Sequence, residues 1–190
     1  MMDILIPSFY RRLKRGPQVI LPKDIGIIIA YSGIGRESVC VDAGTGSGWL
    51  AVSLARLCKR VYSYEIREDF IRIAERNREI TGSDNLEIRN ADVTKGIKER
   101  DIDLVVLDMP DSEKVVRHAN RALKSGGRIV GYLPHTEQVS AFVAKLERYK
   151  FRDIFTIEVI VRDMLVRERG VRPSTKGVWH TAYLTFGEKE

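Results

Sequence analysis

Two cysteines, Cys40 and Cys58, are all that the 190 residues contain. So few exclude a disulfide-rich scaffold. With no His-x-x-x-His pair beside them they also exclude a zinc site built on cysteine. The expectation is two reduced thiols in the core of a cytoplasmic protein, with no metal. Long hydrophobic runs are missing as well. No apolar stretch approaches the ~20 residues that cross a bilayer, and residues 1–10 run too soon into Arg11 and Arg12 to be a secretory signal. Repeats, low-complexity tracts and Ser/Gly linkers are absent, so one domain over 1–190 is expected, with 1–21 as a lead-in. Charge of one sign is only mildly in excess, 32 Lys and Arg against 26 Asp and Glu. A net charge of +6 is common without any polyanion partner. Its placement says more. Residues 11–15 read Arg-Arg-Leu-Lys-Arg, and 162–176 hold Arg162, Arg167, Arg169, Arg172 and Lys176.

What is present is an ordinary globular mix, 44% apolar and 31% charged, long enough to bury roughly 70% of its unfolded surface. Strand and helix signals alternate. Pro22-Lys23-Asp24 opens a helix that stops near Gly33. Buried strands are expected at 39–43, 60–65, 86–89, 103–107 and 128–133, and helices at 49–58, 67–80, 113–123 and 137–149. Leu50, Leu54 and Leu57 read as one helix face, and Asn77 as the polar edge of another. Then come strands alone, 151–161 and 179–186, joined by a charged connection. Alternation implies parallel strands with right-handed crossovers. The last two strands lack a helix between them and should pair antiparallel at one edge. The fold class is therefore α/β: a doubly wound, Rossmann-like sheet of about seven strands with an antiparallel edge strand.

The sharpest motif is Asp42-Ala43-Gly44-Thr45-Gly46-Ser47-Gly48, between the first strand and its helix. Gly44 and Gly46 permit a tight turn and a close ligand. The N–H groups of Ser47, Gly48 and Trp49 open a helix toward an anionic group. Glu65 ends the second strand 21 residues after Gly44, where a carboxylate reaches ribose hydroxyls. Asp92 follows the third strand, placed to accept from an adenine amine. A dinucleotide site needs G-x-G-x-x-G, but here the third glycine is Gly48 and Trp49 follows. The G-x-G-x-G spacing fits S-adenosylmethionine instead. Leu107-Asp108-Met109-Pro110 ends the fourth strand, so Asp108 points into the crevice, while Asp111 or Ser112 is better spaced to cap the next helix.

The chain resembles the tRNA (adenine-N1)-methyltransferases that modify the T-loop adenine. The resemblance lies in Gln18-Val19-Ile20-Leu21-Pro22-Lys23-Asp24-Ile25-Gly26, the glycine loop, Tyr64-Glu65-Ile66-Arg67-Glu68, Leu107-Asp108-Met109-Pro110, Tyr132-Leu133-Pro134 with Gln138-Val139, and His180-Thr181-Ala182-Tyr183-Leu184. It implies a cofactor, S-adenosylmethionine, held by Gln18 and Gly44, Thr45, Gly46, Ser47 and Gly48 at the methionine part. Glu65 would hold the ribose, and Asp92 with Val93 the adenine. Asp108 would be the catalytic residue, set beside both cofactor and target base. Tyr132 and His180 are expected to line the base pocket, and Arg167, Arg169 and Arg172 to meet RNA phosphates. The family usually carries a domain before the Gln18 stretch, whose place only residues 1–10 take here. It also often has an aromatic after Asp-x-Pro, where this chain has Asp111-Ser112-Glu113. It implies tRNA as partner and a homo-oligomer, a tetramer by analogy. The alternatives are a corrinoid-precursor methyltransferase, against which Asp108-Met109-Pro110 weighs, and a non-catalytic RNA-binding subunit.

Overall fold

The computed structural model describes residues 6–16 and 18–190; residues 1–5 and Pro17 of the expected lead-in lie outside them. A short helix α1 (Ser8–Arg11) precedes α2 (Pro22–Ser32), β1 (Val39–Ala43), α3 (Trp49–Ala55), β2 (Arg60–Glu65), α4 (Glu68–Thr81) and β3 (Leu86–Asn90). A 3₁₀ turn (Val93–Lys95) leads to β4 (Ile102–Leu107), α5 (Ser112–Ala122), β5 (Leu123–Leu133), α6 (Thr136–Arg148) and β6 (Phe151–Glu158). The chain ends with β7 (Met164–Arg167), β8 (Gly170–Pro173) and β9 (Tyr183–Lys189).

Seven strands form one sheet in the order β3-β2-β1-β4-β5-β9-β6. β9 runs antiparallel to both neighbours, so the edge strand β6 meets the sheet through an antiparallel pairing, as the missing crossover helix demands. Alternate residues of the central strands feed two cores. Cys40, Leu104 and Val106 pack with α2 and α3, while Val41, Val105 and Leu107 pack with α5 and α6.

Five boundaries or faces differ from the sequence reading. Helix α3 ends at Ala55 and is buried on every side, so no single leucine face exists, and Leu57 is exposed beyond its end. Strand β5 begins at Leu123, earlier than the glycines suggest. It crosses a bulge opposite Ile102 and Leu104, where a Cβ on Gly127 would lie 2.8 Å from the Ile102 carbonyl oxygen. The charged connection is a second, two-stranded sheet, β7 with β8. Residues 179–182 are irregular and β9 starts at Tyr183, with His180 bonded to Glu158 at the end of β6 and to the Pro134 carbonyl, and Thr181 to Asp24 on α2. Asn77 is fully buried rather than at a polar edge.

Asn77 fastens the lead-in to the glycine loop. Its Oδ1 accepts from the Lys14 N–H at 2.7 Å, and its Nδ2 donates to the Lys14 and Ser47 carbonyls at 2.8 and 2.7 Å. The Trp49 indole also donates to the Lys14 carbonyl, and Tyr10 stacks on Trp49. The expected outcome of Asn77→Ala is a loss of about 2–3 kcal/mol, since buried backbone groups lose their partners. Denaturant melts measure the loss, and limited trypsin digestion should cut sooner at Arg12, Lys14 and Arg15.

Candidate active site

The carboxyl ends of β1, β2, β3, β4 and β5 open onto a cavity of about 750 Å³. Gln18, Gly44, Gly46, Glu65, Asp92, Val93, Asp108 and Tyr132 line it together, although they span more than a hundred residues of sequence. Beneath the glycine loop lies a pocket of about 20 Å³, bounded by Gln18, Asp42, Thr45, Ser47 and Asp108.

Parallel pairing of β1 with β4 sets the geometry. The Asp108 N–H donates to the Ala43 carbonyl at 2.8 Å, bringing the start of the loop against the end of β4. Gly44 turns there with φ +86°, and a Cβ on it would sit 1.9 Å from the Asp108 carbonyl oxygen. No other residue fits that approach. The loop is then held by Glu65. Its Oε2 accepts from the Gly46 N–H at 2.9 Å, and its Oε1 from the N–H groups of Ile66 and Arg67 at 2.9 and 3.0 Å. Thr45 faces inward, its Oγ1 2.6 Å from Ser63 Oγ, which donates to Asp42 Oδ2 at 2.6 Å.

Three carboxylates therefore crowd one crevice. Burial, then the charges of Asp42 and Glu65, push the Asp108 carboxyl up to about 7. Burial lifts Asp42 to about 6, opposed by the Ser63 hydrogen bond and helped by Glu65. Among the described residues the Asp108 carboxyl takes no hydrogen bond, and Ser47 Oγ is buried with no partner. Unneutralised acid and an unmatched hydroxyl in a pocket suit a cationic, hydrogen-bonding ligand. Asp92 differs: Thr94 donates to its Oδ1 from both N–H and Oγ1, holding its carboxyl below the usual range.

Some expected site residues lie elsewhere. Gly48 lines neither cavity. Its N–H is spent on the Thr45 carbonyl, and it packs against Ala74. His180 also stays outside, holding Pro134 at the rim. Arg167, Arg169 and Arg172 sit on the exposed hairpin after β6, away from the cavity lining. Tyr132 does line the cavity, with burial and nearby Asp24 raising its phenol pKa. The sequence reading assigned no site role to Ile66, Arg67, Phe70, Thr94 and Met109, which also line the cavity. For Ile66, Arg67, Thr94 and Met109 the position just beyond strand ends was the available signal, while Phe70 lies in the first turn of α4. Behind Tyr132 the Lys23, Asp24 and Thr181 side chains form a network of hydrogen bonds at 2.8–2.9 Å, uniting two motifs about 157 residues apart.

The sheet order and the crevice define a Rossmann-like methyltransferase. A family model described as "tRNA methyltransferase complex GCD14 subunit" matches residues 9–178. A Methanocaldococcus jannaschii protein, named tRNA (adenine(57)-N(1)/adenine(58)-N(1))-methyltransferase TrmI, is 40% identical over 97% of this chain and 74% of its own length. Two crystal structures superpose closely. One, described as an SAM-dependent O-methyltransferase from Thermotoga maritima, has a TM-score of 0.90 at 33% identity, covering 97% of this chain and 72% of that one. The other, the tRNA (m1A58) methyltransferase TrmI of Aquifex aeolicus, has a TM-score of 0.89 at 25% identity, covering 97% and 76%. The chain belongs to this tRNA methyltransferase family.

Asp108 is a destabilising charge. The folded carboxyl keeps its proton to about pH 7, whereas the unfolded one releases it near its ordinary 3.8. Folding stability therefore falls as pH rises between those values, and the cost is fully present above them. Asp108→Asn should melt several degrees higher than the parent at pH 8 and at the same temperature at pH 4, as calorimetric scans will measure.

Proposed function

We propose that this protein methylates N1 of adenine in tRNA with S-adenosylmethionine as donor. The observation that carries the reading is the Asp108 carboxyl, half-buried and without a hydrogen bond among the described residues, held by the Gly44 contact at the mouth of the glycine loop. The family match and the TrmI relative support tRNA as the substrate. When bound, S-adenosylmethionine supplies an electrophilic methyl group on a positive sulfur. Gln18, Gly44 and Gly46 would hold its methionine end, with Ser47 Oγ and Asp42 facing the small pocket below. Glu65 would hold the ribose, and Asp92, Val93 and Ile66 the adenine.

The chain's own contribution is placement and charge. Adenine N1 is a lone-pair nucleophile at neutral pH, so no strong base is needed. Asp108 accepts from the exocyclic amine of the target, which fixes N1 and pushes electron density into the ring. The methylated base is cationic, so the carboxylate gains attraction as positive charge develops. Tyr132 and Met109 exclude water from the acceptor side.

The exposed hairpin arginines and the exposed Arg12, Lys14 and Arg15 form two basic edges suited to phosphates. Exposed Met164, Val166 and Val171 on the same hairpin favour a homo-oligomer, with a tetramer as the reading by analogy. We read the chain as a single methyltransferase domain working in the cytoplasm. Among the described residues no helix is long and apolar enough to cross a membrane, and no group of three or more acidic, His or Cys side chains is arranged to hold a metal.

Nucleoside mass spectrometry of unmodified tRNA incubated with protein and donor tests the reading. 1-Methyladenosine should appear, and its absence would refute it. Asp108→Ala and Asp108→Asn should bind donor within a few-fold of the parent by calorimetry, yet lose about 10²–10³ in methyl transfer. Changing Arg167, Arg169 and Arg172 together to Ala should weaken tRNA binding and flatten its salt dependence by about three phosphate contacts, read from filter binding across salt concentrations.

A further inference from the structure

The acceptor side of the cavity is walled by Tyr132 and Pro134 at the end of β5 and by Gln138 in the first turn of α6. His180, in the irregular stretch before β9, reaches this wall from outside. Its Nε2 lies 2.9 Å from the Pro134 carbonyl oxygen and its Nδ1 2.6 Å from Glu158 Oε1 at the end of β6. Thr181 continues the link by donating to Asp24 Oδ2 at 2.9 Å, and the Tyr132 hydroxyl lies 3.5 Å from the same oxygen. This dipeptide thus ties the ends of β5 and β6 to the start of α2.

Resting on the adenine reading above, we propose that His180, as the imidazolium, is a positioning residue for the acceptor wall, and that its deprotonation slackens Pro134 and weakens productive seating of the RNA base. Both ring nitrogens face acceptors, and among the described residues nothing else donates to Pro134 from that side. A neutral imidazole carries one N–H, so one contact must become lone pair against lone pair. The proton stays with the carboxylate, whose bond is charge-assisted. The contact given up is the one to Pro134. The next residue, His135, starts α6 and donates its N–H to Gln138 Oε1 at 3.1 Å, so slack at Pro134 passes to Gln138.

The charged and titratable groups facing the ring are Glu158 from β6, Lys23 with its partner Asp24 from α2, and Tyr183 of β9, whose ring centroid is 5.0 Å away. The Glu158 hydrogen bond, then the Pro134 carbonyl, raises the His180 pKa above its ordinary 6.5, and Lys23 opposes them. A raised value keeps the clamp intact at low pH and releases it as pH rises through the folded pKa. The ring is 42% exposed, so it exchanges protons with solvent freely.

The test combines tRNA kinetics from about pH 6 to pH 9 with histidine NMR titration of the parent, His180→Asn and Glu158→Gln. In the parent, KM for tRNA should rise on the alkaline side with the midpoint at which His180 titrates, and the neighbouring His135 amide should follow it. Glu158→Gln should move all three midpoints down by about one pH unit. His180→Asn should abolish the alkaline rise and keep KM several-fold high throughout, with donor affinity by calorimetry within about twofold. A midpoint unmoved in Glu158→Gln, an alkaline rise surviving in His180→Asn, or a His135 amide indifferent to His180 would overturn the proposal. A parent that binds donor without methylating tRNA would instead sink the adenine reading, and the NMR titrations would then decide the clamp alone.

Discussion

The backbone of Gly44 lies against the carbonyl of Asp108, and the rest of the site depends on that contact. One residue opens the turn after the first strand; the other follows the end of the fourth strand, and both line the same cavity. Parallel pairing of β1 and β4 places them in register, and the absence of a side chain on Gly44 lets them touch. The Asp108 carboxyl and the glycine loop are thereby brought together without any direct bond between their side chains.

That closeness has an electrostatic consequence. Asp42, Glu65 and Asp108 repel one another in a partly desolvated crevice, and two of them hold their protons well above the usual carboxylate range. The protein keeps Glu65 in place with three backbone N–H donors but leaves Asp108 unpaired. Functional sites are where such uncompensated charge is retained. In the proposed reaction, a donor with a positive sulfur and a positive amine would relieve the repulsion, and a base that becomes cationic on methylation would relieve it further.

The scaffold around this centre divides the labour. One side is built from local strand ends: Ile66, Ala91, Asp92 and Val93 follow β2 and β3 directly. The other side is assembled from afar. Lys23 and Asp24 on α2 meet Thr181 and Tyr132, and His180 meets Glu158 and Pro134. The motifs Pro22-Lys23-Asp24 and His180-Thr181, separate in sequence, share one structural task. The basic hairpin that follows β6 then extends from this assembled side.

The glycine loop, the acidic strand ends and the strand–helix alternation were legible in the chain, because period, turn residues and strand-end position are local properties. So was the antiparallel edge, since two strands without a crossover helix have few other ways to pair. Tertiary structure alone decided the rest. Asn77 looked like a helix edge, but backbone from the lead-in and the glycine loop captured its hydrogen-bonding groups. The 162–176 segment read as a charged connection between strands, yet its backbone closes into a hairpin, which side-chain polarity does not forbid. Gly48 belonged to the motif but serves helix packing against Ala74, and His180 belonged to another but grips the wall from behind. Sequence determines which chemistry is available at each strand end. Which side chains face the ligand depends on distant segments competing for the same buried donors and acceptors, and only the folded chain resolves that competition.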